Sequence, residues 1–94
     1  MKAEQMIEAL EAAAEQLGVR VRYETMTGET SGAGGLCRIR GEWRIIIDRR
    51  TPPSDRVALL AEALSGFDTE PVFLPPEVRR TIEAHRPDRP SPSP

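Results

Sequence analysis

Hydrophobic and polar positions change their period several times along this chain. Ala3, Met6, Ile7, Leu10, Ala13, Ala14 and Leu17 recur at helical spacing, which predicts a helix over 3–17. Gly18 follows, where a left-handed residue would close it. The opposite side carries Glu4, Glu8, Glu11 and Glu15, with no base one turn away. These acids repel weakly and read as a solvated face or as a contact for a basic surface.

The period then drops to alternation. In "VRVRYE" (19–24), Val19, Val21 and Tyr23 face in while Arg20, Arg22 and Glu24 face out, the pattern of a half-buried strand. "TMTGETSGAGG" (25–35), with four glycines, is a loop. In the next stretch the odd positions Cys37, Ile39, Trp43, Ile45 and Ile47 are apolar, and the even positions Leu36, Arg38, Arg40, Arg44, Ile46 and Asp48 are mixed. Gly41-Glu42 reads as the turn of a hairpin with Gly first. A strict two-residue turn would set odd residues of one strand against even residues of the other. Keeping the apolar set on one face therefore requires a three-residue loop or a bulge near Gly41. On that register Cys37 is a buried structural cysteine, and Arg20, Arg22, Arg38, Arg40 and Arg44 share the outer face with Leu36 and Ile46. Ile45-Ile46-Ile47 is apolar on both faces, as a central strand should be.

Beyond it, Thr51 is placed to cap a helix over 52–65, with Pro52 at its first position and Asp55 suiting its dipole. Val57, Leu60, Ala61 and Leu64 form its apolar stripe, Gly66 ends it, and Phe67 folds back onto it. "EPVFL" reads as a short edge strand, and "PPEVRRTIEAHR" as a last helix with Val78 and Ile82 on its inner side. The predicted fold class is α+β: a small, mainly antiparallel sheet of three to four strands with helices packed on one face, in the order α-β-β-β-α-(β)-α. Residues 1–86 form a single domain, and 87–94 ("PDRPSPSP") a disordered Pro/Ser-rich tail.

Composition then narrows the function classes. The 94 residues carry a net charge of −2, which gives no bulk attraction to nucleic acid or anionic lipid. The single cysteine excludes an intramolecular disulfide framework. The acidic N-terminal segment lacks the apolar run of a signal peptide or a membrane span, so a soluble cytoplasmic protein with no membrane contact is expected. All of the thirteen basic residues except Lys2 are Arg.

Chemistry is sparse. A phosphate-cradling loop needs a Gly-Lys pair or a third glycine opening a helix, whereas the glycines at 32–35 lead into a strand. One His (His85) and one Cys, with no ligand pair at zinc spacing, predict no metal, no cofactor and no catalytic residues. The arginines at 20, 22, 38, 40 and 44 form a candidate binding face for nucleic acid or another anion. Stacking rings are expected on the opposite face, however, which weakens a nucleic-acid platform.

"WRIIIDRRTPPSDRVALLAEALSGF" resembles one segment of the ImmA/IrrE-type metallopeptidase family, in which a strand leads through a short loop into a helix bearing Ala-His-Glu-Leu-Gly-His. "AEALSG" (61–66) stands at that motif. Ala61 and Leu64 match, while Glu62, Ala63, Ser65 and Gly66 replace the first His, the catalytic Glu, the Gly and the second His. The resemblance implies a helix-on-sheet scaffold without peptidase activity. The whole chain also resembles a group of short uncharacterised bacterial proteins sharing "GGLCR-RGE" and "LPP-VR".

These readings lead to a non-catalytic protein-interaction or regulatory module, with anion or nucleic-acid binding and an enzyme with a carboxylate site as the alternatives. The expected partner is another protein or a second copy. A weak homodimer would use Leu36 and Ile46, with the acidic helix stripe meeting the arginine face between chains. Deleting 88–94 should leave the melting temperature within about 2 °C, equivalent to a few tenths of a kcal/mol, in differential scanning calorimetry. A larger drop would show that the tail docks.

Overall fold

A computed structural model of the chain describes residues 1–25 and 34–86. The elements are α1 (Ala3–Gln16), β1 (Arg20–Glu24), β2 (Gly34–Ile39), β3 (Glu42–Asp48), α2 (Pro53–Leu64) and α3 (Pro76–Ala84). The strands form one sheet in the order β1-β3-β2. The glycine-rich segment considered as a phosphate cradle falls largely on 26–33, and the Pro/Ser-rich tail on 87–94; both lie outside the described residues.

The sheet is mixed, not mainly antiparallel. β3 pairs antiparallel with β2 and parallel with β1, with Val21 beside Ile45 and Tyr23 beside Ile47. The cause is visible in β3 itself. With isoleucine at 45, 46 and 47, it gains most from the central place, where both edges are paired, Ile45 and Ile47 are buried and Ile46 is flanked by a strand on each side. The chain therefore leaves β1, runs to the far edge for β2, and returns through a hairpin into the gap.

That hairpin also corrects the expected register. Ile39 pairs with Glu42, so the turn holds two residues, Arg40 and Gly41, with φ of 53° and 80°. Positive φ at both central positions defines a type I′ turn, whose twist matches the strands it joins. No bulge intervenes: the ladder continues through Arg38–Trp43, Cys37–Arg44, Leu36–Ile45 and Gly35–Ile46. The scrambling that a two-residue turn implies therefore occurs. Leu36 and Arg38 share the helix-covered face with Trp43 and Ile45, while Cys37 and Ile39 share the open face with Arg44 and Ile46.

The helices cover the face that carries Ile45 and Ile47, both fully buried. α1 packs on β1 and on α2, α2 reaches β2 and β3, and α3 closes the end against α1 and α2. Leu10, Leu60, Leu64, Val78 and Ile82 complete the buried centre. Gly18, with φ of 78°, ends α1, and the Val19 amide donates to the Ala14 carbonyl, which turns the chain directly into β1. α2 begins one residue later than expected: Pro52 is the cap residue, with no side-chain cap bond, and Thr51 is buried, its carbonyl accepting from Arg56 Nε.

The expected strand in "EPVFL" does not form. Val72 and Leu74 are buried and Phe73 is 85% exposed, so the alternation was real. Pro71, Pro75 and Pro76 lack amide donors, and the Val72 amide is spent on the Thr69 carbonyl, so the segment is a loop held by side-chain burial. Arg79 fastens it, donating from Nη2 to the Val72 carbonyl at 3.0 Å.

A type I′ turn with arginine in the left-handed region is strained, whereas asparagine accepts that conformation. Arg40 is exposed at the turn. Replacing Arg40 by Asn should stabilise the fold by about 0.5–1 kcal/mol and raise the melting temperature by roughly 2–6 °C. An unchanged or lowered value would refute the turn geometry.

Candidate interaction surface

The open face of the sheet is built from alternate residues of the three strands. β1 contributes Arg20, Arg22 and Glu24; β3 contributes Glu42, Arg44, Ile46 and Asp48; and β2 contributes Cys37 and Ile39. Ile46 and Cys37 are half-buried and Ile39 is 39% exposed, so an apolar strip runs along the β2 side of this face.

Charge surrounds the strip. Arg20 and Arg44 are directly opposite one another, a like-charge pair that would repel. Glu42 lies between them, 3.6 Å from Arg20 Nη2 and 2.9 Å from Arg44 Nη2, and it also accepts from Arg44 Nε. At the other end Glu24 stands opposite Asp48. Asp48 Oδ2 is 2.9 Å from Arg50 Nη2, and its Oδ1 accepts from the Arg50 backbone amide. Hydrogen bonds from the Arg50 side chain and backbone hold the Asp48 carboxyl below its usual range. Each like-charge pair thus has a neutralising neighbour two residues along the central chain.

The five arginines expected on one face are divided. Arg20, Arg22 and Arg44 are on the open face. Arg38 is on the helix side, its guanidinium carbon 5.3 Å from the centre of the Trp43 ring. Arg40 is in the turn. Leu36 and Ile46, expected side by side, lie on opposite faces. Cys37, expected in the core, is on the open face beside Arg44, because of the two-residue turn. The rings of Tyr23 and Trp43 are on the covered face, as anticipated. Trp43 meets Phe67 edge-on with centroids 5.6 Å apart, so Phe67 does fold back onto the core.

Residues that could have formed an acid-base site do not converge. Asp48 is engaged by Arg50, Glu62 is exposed on α2, and His85 Nδ1 is within 2.8 Å of the Thr81 carbonyl. Among the described residues no group of three or more His, Cys, Asp or Glu side chains could hold a metal ion, and no helix is long and apolar enough to cross a membrane.

A groove of about 710 Å³ runs along the outer side of β1 beneath α1, walled by Glu11, Glu15, Arg20, Arg22 and Tyr23. Its central contact was not legible in the sequence: the Tyr23 hydroxyl donates to Glu11 Oε2, tying α1 to β1. Arg56 lies over the same ring, 5.0 Å from its centre. The only available signal was that a strand tyrosine facing in must satisfy its hydroxyl, and the acidic helix stripe is its nearest acceptor. Burial, and then the bond to Glu11, push the Tyr23 hydroxyl well above its ordinary range.

Comparison with protein-family models, with curated proteins and with solved structures finds no match to this chain.

Tyr23 is the chain's single tyrosine, so its ionisation can be followed directly by ultraviolet absorbance. Because its folded pKa is raised, the unfolded chain releases this proton first as pH rises. The tyrosine's stabilising contribution is therefore intact below about pH 10 and is lost progressively above it. Tyr23→Phe should remove that alkaline loss. A folded-state titration near the ordinary tyrosine value would refute the contact with Glu11.

Proposed function

We propose that this chain is a non-catalytic protein-interaction module that receives its partner on the open sheet face. The carrying observation is the layout of that face: an apolar strip of Cys37, Ile39 and Ile46 beside paired charges at Arg20, Glu42, Arg44 and Asp48. An apolar centre with a polar, ion-paired margin is the usual anatomy of a recognition surface. The charged margin excludes mismatched partners more than it adds affinity, because exposed ion pairs contribute little.

Anion and nucleic-acid binding draw less support from the same geometry. Arg38 is stacked on Trp43, Arg40 is in the turn, and Glu42 occupies Arg20 and Arg44. Of the five, only Arg22 and the turn residue Arg40 have neither an ion pair nor a ring contact among the described residues. An enzymatic reading draws less still, because its candidate carboxylates are spread over separate elements.

Affinity capture from a native lysate tests the proposal when the wild-type chain is compared with Ile46→Asp and with Glu8→Lys on the exposed side of α1. A specific partner should be retained by Glu8→Lys and lost by Ile46→Asp, both variants keeping the wild-type circular dichroism. A partner held equally by Ile46→Asp would move recognition off this face. A salt-dependent mobility shift with RNA or DNA would favour the arginine reading instead.

A further inference from the structure

The sheet has two edges, and they are defended differently. β1, "RVRYE", carries three charges in five residues, and the Arg49 side chain donates to the Tyr23 carbonyl. Such charge is the usual protection against strand addition. β2, "GGLCRI", carries only Arg38. Its Leu36 is 38% exposed and its Ile39 39% exposed, and among the described residues no strand pairs with its outer side.

The register shows which backbone groups that edge offers. The turn closes on the Ile39–Glu42 pair, which directs the Ile39 backbone toward β3. By the alternation of an antiparallel ladder, Cys37 and Gly35 also address β3, while Leu36 and Arg38 turn their N–H and C=O groups outward. A strand is available for pairing, and its own sequence fits it. Antiparallel self-pairing about a two-fold axis must place one residue opposite its own copy. Centring on Arg38 opposes like charges. Centring on Cys37 sets Leu36 against the partner's Arg38 and Gly35 against the partner's Ile39. A side chain at Gly35 would meet nothing within 4 Å, so the glycine leaves room for that isoleucine.

We infer that β2 pairs antiparallel with β2 of a second copy, centred on Cys37, to give a six-stranded sheet in a two-fold dimer. The charged β1 edges stand at the two ends and stop further growth. The pairing also joins the two open faces, bringing the apolar strips of both copies together across the axis. It does not depend on the partner-docking proposal, because it uses the edge rather than the face. Ile46→Asp would abolish partner capture while leaving the dimer, and an edge variant would do the reverse.

Sedimentation velocity over a concentration series, combined with cysteine oxidation, tests the inference. The wild-type chain should dimerise reversibly. Diamide, which takes up the two electrons and two protons released by the thiols, should form the disulfide-linked dimer about tenfold faster in the folded protein than in the urea-unfolded chain at equal concentration. Leu36→Arg sets two cations against each other at both symmetry-related positions and should weaken the dimer about tenfold. Adding Arg38→Glu to Leu36→Arg restores opposite charge and should recover it, which a merely misfolded variant would not. A chain that stays monomeric at millimolar concentration overturns the inference. So does a dimer indifferent to Leu36→Arg, a failure of the double variant to recover, or oxidation no faster than in the unfolded chain.

Discussion

The arrangement of this domain depends on a tight turn at Arg40–Gly41. Both residues are held at positive φ, and only two of them separate the paired Ile39 and Glu42. With side chains alternating along a strand, that count decides which face each residue of β2 occupies. One further residue in the turn would return Cys37 and Ile39 to the core and put Leu36 and Arg38 on the open face. The core accepts the observed choice because β3 supplies the apolar volume it takes from this hairpin: Ile45 and Ile47 are fully buried, while β2 brings to that face only the exposed Leu36 and the guanidinium of Arg38 over Trp43.

Much of the fold was legible because its signals are local. The periodic apolar stripe of α1, Gly18 at its end and the stripes of α2 and α3 are read within a few residues, and each of these helices forms within two residues of where it was expected. The isoleucine run likewise announced a central strand. What failed depends on comparing alternatives across the chain. Segregating odd from even residues favoured a bulged hairpin, but that pattern weighs only burial. It omits the fit of a type I′ turn to the strand twist, and it treats cysteine and arginine as fixed markers of inside and outside. Arginine on an aromatic ring covers apolar surface, and a half-exposed cysteine is tolerated. The parallel pairing of β1 was hidden because nothing in "RVRYE" names its neighbour. The candidate surface was legible only in part: its arginines were visible, but the role of Glu42 in separating two of them appears only once β1 lies beside β3.

Electrostatics in this chain serve geometry more than bulk attraction. Parallel pairing of β1 with β3 forces Arg20 against Arg44 and Glu24 against Asp48, both unfavourable alone. Glu42 and Arg50 answer them from β3 and the residues just beyond it, so the central strand carries both the apolar core and the charges that permit its parallel neighbour. The acidic stripe of α1 is likewise not uniform: Glu11 holds the Tyr23 hydroxyl, whereas Glu4, Glu8 and Glu15 are exposed. The same stripe therefore does two jobs, one fixing α1 over β1 and one keeping the outer helix face in water.

The two edges follow from the same strand order. A central β3 leaves β1 and β2 at the margins, with no further strand beside them among the described residues, yet their compositions differ because their loads differ. β1 lies under α1, where Val21 and Tyr23 fill the inner face, so its outer residues are available to carry charge. β2 must supply Leu36 to the inner face and close the hairpin through Ile39, and its glycines at 34 and 35 bring no side chain to shield the ladder. An edge that is poor in charge and rich in glycine is the one at which another strand can approach closely. The turn that reverses the faces of β2 thus also sets what its edge presents: Cys37 and Ile39 toward the open surface, Leu36 and Arg38 toward the helices. The open face and the β2 edge are therefore consequences of one register, and a change that shifted the turn by a residue would alter both together.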